Sequence, residues 1–330
     1  MVNIAPHLTN TYLNLIILPT EKCNFRCTYC YEDFEIGKMK PELIDSVKKL
    51  IDARIQDLDT LEISWFGGEP LLAKEIIYDL MNHAQKIKKV FGKTLKSNMT
   101  TNAYLLDSES FKELVDRGVN VFQITLDGPS IDHNKSRILA NGGDTFSKVV
   151  RNLEYISKTS FDFEVLLRIH YHPRNLKQLE SLFRELPSSI VQDVRFKFFF
   201  KAIHHLGGEN DSEFSVYSEY EEKTLTQNLN ELAVKYSFNL CEDQNSQYVC
   251  YAAAANSLVI RANGKINKCT VGLNDDINSV GELLEGGILK MNNELFRKWI
   301  NPLLESNETE MACPYNSLKK ESREIAVLNI

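Results

Sequence analysis

The sequence predicts an α/β protein built on a parallel sheet, either barrel-like or doubly wound, followed by a small C-terminal module. Two observations predict the sheet. Residues 12–200 alternate six short β-branched or aromatic runs with longer stretches of helical period. Most runs are apolar throughout, as in Ile16-Ile17-Leu18 and Phe198-Phe199-Phe200, which suits strands covered on both faces. A third observation, the end of this alternation near residue 210, predicts the module.

The expected strands are Leu13–Leu18, Leu61–Phe66, Lys96–Thr100, Val119–Leu126, Phe163–His170 and Val194–Phe200. Helical period covers Pro41–Gln56, Ala73–Lys89, Ser108–Arg117, Thr145–Lys158 and Asn175–Leu186. Pro41 suits a first helical turn, where no backbone N–H is needed, and Gly118 follows Arg117 where a helix end favours glycine. The tail opens with a polar stretch, Gly207 to Glu213, and a helix over Val216–Ser237. Ser257–Ala262 and Lys265–Cys269 then flank Asn263-Gly264, a hairpin signal in which both turn positions are expected at positive φ. This places a barrel-type unit at 1–210 and a cysteine-bearing module at 211–330.

The chain's net charge of −7 argues against general attraction to nucleic acid or anionic lipid. Its first apolar run, Leu13 to Leu18, is too short for a signal-peptide core or a membrane span and lacks a basic segment before it. A cytoplasmic protein is expected. Seven cysteines there do not suggest a disulfide framework, and an odd number cannot all pair within the chain. Metal ligation and core burial are left.

Cys23, Cys27 and Cys30 are spaced C-x3-C-x2-C directly after the first expected strand. Thiolates this close on one loop can converge on one metal centre. A zinc knuckle would need a fourth Cys or His, and none lies in the loop. Three thiolates on a four-iron cluster would leave one iron open.

With Tyr29 directly before the last cysteine, this segment resembles the signature of the radical S-adenosylmethionine (SAM) superfamily. The resemblance implies a partial (β/α)6 TIM-type barrel with a small C-terminal α+β iron–sulfur module. It also implies a [4Fe–4S] cluster whose free iron is chelated by SAM. Reductive cleavage of SAM would then give a 5′-deoxyadenosyl radical that abstracts hydrogen from substrate. Gly67-Gly68-Glu69-Pro70, after the second strand, resembles the superfamily's GGE motif, which binds the SAM amino group. Two glycines there let backbone approach a ligand.

Thr100-Thr101-Asn102 resembles the motif ending strand three in the peptide-modifying branch. Thr125-x-Asp127-Gly128-Pro129, followed by His133 and Arg137, resembles that branch's S-x-D-G-P-x3-H-x3-R stretch, with threonine for serine. By this match Thr125 and Asp127 would meet the SAM ribose or nearby polar groups. Arg168 is a charge within an apolar strand and needs a partner, either a SAM carboxylate or a structural ion pair. His170, His172, Lys201, His204 and His205 leave strands five and six and could face substrate. These groups follow successive strands on the C-terminal side, where parallel β/α barrels assemble their active sites.

Cys250, Gly264-x4-Cys269 and Ala312-Cys313-Pro314-Tyr315 resemble the SPASM/twitch extension of peptide-modifying radical SAM enzymes. The dense later cysteine run of a full SPASM pattern is missing. One auxiliary [4Fe–4S] cluster is implied, held by Cys250, Cys269 and Cys313, with Cys241 as the fourth ligand. If Cys241 is instead a core residue, an open iron could bind substrate. Strand one begins near residue 12, so no leader-binding domain of the usual size is expected before it.

The leading reading is therefore an oxidoreductase-type radical SAM enzyme that modifies a peptide or protein, in maturation of a ribosomally synthesised peptide. Cross-linking, thioether formation, epimerisation and oxidation all begin with hydrogen abstraction. Expected partners are the substrate, a reductant such as flavodoxin or ferredoxin, and a separate leader-binding protein. A sulfatase-maturating enzyme that forms formylglycine is the alternative, and a zinc-stabilised binding protein the non-enzymatic one.

Overall fold

The computed structural model describes residues 3–241 and 248–320. Six parallel strands form its centre: β1 (Tyr12–Ile17), β2 (Thr60–Trp65), β3 (Thr94–Thr101), β4 (Val121–Leu126), β5 (Glu164–Tyr171) and β6 (Phe196–Ala202). They pair in sequence order. All C-terminal ends therefore lie on one side. Between them run α1 (Pro41–Arg54), α2 (Lys74–Phe91), α3 (Ser108–Asp116), α4 (Ser130–Ser136), α5 (Phe146–Ser157) and α6 (Leu179–Glu185). Each expected strand and helix of this region is present within a few residues of its expected bounds; α4 was not foreseen.

The apolar strand residues do what their pattern predicts. Leu15, Ile17, Ile63, Met99, Phe122, Ile124, Val165, Leu167, Ile169, Phe196 and Phe198 are fully buried. Removing such area from water is the main force holding the layers together, roughly 1.5–3 kcal/mol per large side chain. Pro41 opens α1, Asp107 caps α3 by accepting from Ser110 N–H, and Gly118 lies past α3 at φ +87°.

The barrel does not close. β1 pairs on its outer side with β7 (Ser257–Ile260), also parallel, and antiparallel β8 (Lys265–Asn267), β9 (Ser279–Leu284) and β10 (Ile288–Met291) extend the same sheet. At the other edge Phe198 N–H donates to Asn239 O, and Cys241 N–H donates to Phe198 O. A helix, α7 (Glu219–Lys235), packs on β6. α7 and residues 239–241, which follow the expected boundary at residue 210, thus pack with β6.

The β7–β8 hairpin forms where Asn263-Gly264 predicts it, with a different turn. Gly264 N–H donates to Arg261 O, and only Gly264, at φ +89°, is left-handed. Cys269 lies beyond β8, not on the hairpin. Helix α8 (Asn293–Leu304) buries Trp299 beneath the tail, its indole N–H donating to Ile277 O. Among the described residues no helix is long and apolar enough to cross a membrane.

Candidate active site

The first cysteine loop runs over the C-terminal end of β1 and is held from three sides. A short ribbon pairs Phe25–Cys27 with Arg137–Leu139, setting Cys27 opposite Arg137. Asn102 Nδ2, at the exit of β3, donates to Asn24 Oδ1 at 2.8 Å and lies 3.8 Å from Cys23 Sγ. Gly67 and Gly68 press against the loop's base: a Cβ would come within 2.2 Å of Thr20 O at Gly67 and 2.6 Å of Lys22 O at Gly68. The two glycines are thus required for approach to the loop backbone. Pro70 opens a short 3-10 turn behind them.

Glu69 is fully buried. Its Oε1 accepts from Leu71 N–H and Thr101 Oγ, and its Oε2 accepts from Asn102 N–H at 2.7 Å. Burial pushes its carboxyl upward, and these three donors pull the other way. The second lone pair of Oε2 is left for an additional donor such as an amine.

Cys23, Cys27 and Cys30 are half-buried and free. Burial pushes all three thiols up, Cys30 to about 12. Thiolates in this setting need a cation, and a metal centre deprotonates a coordinating thiol outright. Among the described residues no three His, Cys, Asp or Glu side chains approach closely enough to share a single metal ion. A cluster asks for a different spacing, since each thiolate binds its own iron. The loop fits a cluster.

Beneath the loop lies a buried polar network. Tyr29 Oη donates to Asp127 Oδ1 at 2.9 Å and accepts from Arg137 Nη1 at 2.8 Å. Ser136 Oγ donates to Asp127 Oδ2 at 2.6 Å, and His170 Nδ1 lies 3.2 Å from Tyr29 Oη. Asp127 N–H donates to His133 Nδ1. Burial opposes the charge on Asp127, yet His170 and Arg137 hold its carboxyl well below the usual range. Burial pushes His133 down to about 3 and His170 to about 4, so both are neutral. Asp127 is fully buried and both its carboxylate oxygens are bonded within the protein. Of its two expected contacts, the SAM ribose or nearby polar groups, these bonds are of the second kind, and they tie the cysteine loop to the exit of β4.

Arg168 has no carboxylate partner among the described residues; its Nε donates to Thr125 Oγ at 3.0 Å. The structural ion pair is therefore not formed, and the guanidinium keeps donors for an anion. His172 accepts from Arg174 N–H within its own turn. Lys201 and His204 pair with Glu222, and His205 with Asp211, all acids from the segment after β6.

In the tail, Cys250, Cys269 and Cys313 come together, and burial, with Cys250 and Cys313 beside it, pushes the Cys269 thiol up to about 12. Asn278, which the sequence did not single out, shapes this loop: its Oδ1 accepts from Lys268 and Cys269 N–H, and its Nδ2 donates to Cys269 O and Gly272 O. Lys268 is fully buried and donates to Ala254 O and Ser257 O. Cys241 stands apart. Its charged neighbours are Glu164 and Lys197 at the start of β5 and β6, on the side of the sheet away from the site. Backbone pairing with Phe198 holds it there, in keeping with the second expectation for Cys241, a residue outside the ligand set.

The radical SAM superfamily profile matches residues 17–186, half of the chain, which contains every barrel group described above except those on and after β6. The chain belongs to the radical SAM superfamily. Among curated relatives, it is 26% identical over 193 residues to a cysteine-type anaerobic sulfatase-maturating enzyme of Clostridium perfringens, covering 55% of this chain and 51% of that one. This chain thus spans about half the length of that relative. A GTP 3′,8-cyclase of Campylobacter jejuni is 25% identical over 315 residues, covering 90% and 91%. Two solved structures share the fold. Native anSMEcpe with bound AdoMet and the Kp18Cys peptide superposes with TM-score 0.66 at 21% identity, over 88% of this chain and 84% of that one. Streptococcus suis SuiB bound to precursor peptide SuiA gives 0.61 at 16%, over 92% and 69%. Radical SAM enzymes use a [4Fe–4S] cluster and SAM.

Proposed function

We propose that this radical SAM enzyme abstracts hydrogen from a peptide or protein substrate, in maturation of a ribosomally made peptide. The observation that carries this reading is that the cysteine-bearing tail lies against the first cysteine loop: Asn274, from the loop after Cys269, donates to Asp33, and Arg261 pairs with Glu21 just before Cys23. Cys23, Cys27 and Cys30 would hold a [4Fe–4S] cluster, which would supply the electron for reductive cleavage of SAM. Glu69 Oε2 would take the SAM ammonium and Arg168 its carboxylate, while Asn102 and Arg137 hold the loop that bears the thiols. Tyr29, Asp127 and His170 keep that loop in register and exclude water from beneath it. Cys250, Cys269 and Cys313 would hold one auxiliary cluster with an iron left for a further ligand. A reductant such as flavodoxin or ferredoxin supplies the electron, and a separate protein supplies leader recognition.

Two other readings have weaker support. The anSMEcpe fold match favours sulfatase maturation, but the four tail cysteines fall short of two four-thiolate clusters. The length of the GTP cyclase match favours a nucleotide. Yet the cavity between the two cysteine sets is lined by Glu21, Glu32, Asp33 and Asp275 against Arg261 and Lys319, a poor setting for a triphosphate.

Anaerobic reconstitution tests the proposal. We expect roughly eight irons per chain, two [4Fe–4S] clusters, and 5′-deoxyadenosine on reduction with SAM. Cys27→Ala should abolish that product and keep the auxiliary cluster; product formed by this variant, or a colourless zinc protein, overturns the reading.

A further inference from the structure

A cavity of about 150 Å³ separates the first cysteine loop from the tail. The loop after β6 lies against the same region: Gly208 approaches so closely that a Cβ there would come within 2.0 Å of Cys30 O. The lining carries four carboxylates against two cations. Most of these charges are already matched. Glu21 and Arg261, both almost wholly buried, form a two-pronged pair at 3.1 and 2.6 Å. Lys319 lies 3.9 Å from Asp275, which also accepts from Tyr315 Oη. Asp33, at the exposed rim, accepts from Asn274 Nδ2 at 2.5 Å.

Glu32 is the exception. Its Oε2 is sealed from solvent and has no hydrogen-bond partner. The side chain as a whole is half-buried and lines the cavity, and a carboxylate oxygen left without a donor or a cation is costly. The cavity holds about ten times the space one water needs. It is not a divalent-cation site, since no three acidic or thiol groups among the described residues converge on a point. Nor is it the expected place of the SAM ammonium, because Glu69 lies elsewhere, bonded to Thr101 and Asn102. Tyr31 and Tyr315 in the lining offer aromatic surface to an aliphatic stem or a cationic head.

We infer that this cavity receives a basic side chain, lysine or arginine, of the peptide substrate, with Glu32 as its counter-ion. The inference rests on the peptide-modifying reading above. It makes the cavity a specificity pocket that sets a cationic residue beside the first cysteine loop, from both sides of the barrel–tail interface.

The test uses the full chain, anaerobically reconstituted, with N-acetyl-lysinamide, N-acetyl-argininamide and the neutral N-acetyl-norleucinamide as probes. Binding is measured by saturation-transfer NMR. The charged probes should bind roughly tenfold more tightly than norleucine, the scale of one charge-assisted hydrogen bond. Glu32→Gln should erase this preference and Glu32→Asp should restore part of it. Equal binding of all three probes to the native protein overturns the inference whatever the variants do, as does a preference that survives in Glu32→Gln. Formation of 5′-deoxyadenosine by the same native sample tests the reaction separately. Equal probe binding in a sample that cleaves SAM removes only the cation pocket. A preference for charged probes in a sample that cannot cleave SAM removes the reaction reading instead.

Discussion

Tyr29 Oη donates to Asp127 Oδ1 at 2.9 Å, a bond across 98 residues that ties the first cysteine loop to the exit of β4. The same oxygen accepts from Arg137 Nη1 and lies within reach of His170 Nδ1. One phenol therefore joins the loop, β4, β5 and the ribbon that flanks Cys27.

Removing that phenol should loosen the loop without touching a thiol. Tyr29→Phe leaves Asp127 and Arg137 each short of a buried partner, a loss of about 1–3 kcal/mol per unsatisfied group. We expect a lower melting temperature and slower SAM cleavage, with iron incorporation at the first site reduced rather than abolished. Native stability and rate in Tyr29→Phe would show that the network is not what holds the loop.

Cys241 and Cys269 should respond oppositely to replacement. Cys269→Ala should cost about four irons, one [4Fe–4S] cluster, and substrate turnover. Cys241→Ala should keep the native iron content, because Cys241 pairs with Phe198 near Glu164 and Lys197. Iron and sulfide assays of the two variants decide this, and iron loss in Cys241→Ala would return it to the ligand set.

His133 should make the fold acid-sensitive. Burial holds its imidazole near about 3, against 6.5 ordinarily. Between those values the unfolded chain binds the extra proton, so its contribution to stability is complete above pH 6.5 and declines as pH falls toward 3. The slope is at most roughly 1.4 kcal/mol per pH unit. Buried His170, held down to about 4, acts in the same direction. Melting temperatures of native protein and His133→Gln at pH 7.5 and 5.5 should show the smaller drop in the variant; equal drops would exclude His133 as the sensor.

Much of the barrel and its site was legible because the signals are local. Alternating apolar runs and helical period located the six strands within a few residues, and C-x3-C-x2-C with GGEP located the groups at the strand ends. Arg168 was legible as a charge needing a partner, though the choice between ligand and ion pair required the structure. The Glu21–Arg261 pair was less accessible. Arg261 is a charge at the end of an apolar strand, a readable signal, but its partner lies 240 positions away.

The sequence by itself determined the α/β class, the order of the barrel elements and the two sets of cysteines, since each depends on period or spacing along the chain. Only the tertiary structure decided where the tail sits. β7 adds in parallel beside β1, so Arg261 emerges at the same end as Glu21 and the tail covers the barrel mouth. Cys241 meets the opposite fate by the same kind of pairing, held against Phe198 at the far end of β6. Strand direction and register are long-range choices made by packing, and spacing along the chain does not encode which end of a sheet a cysteine will reach.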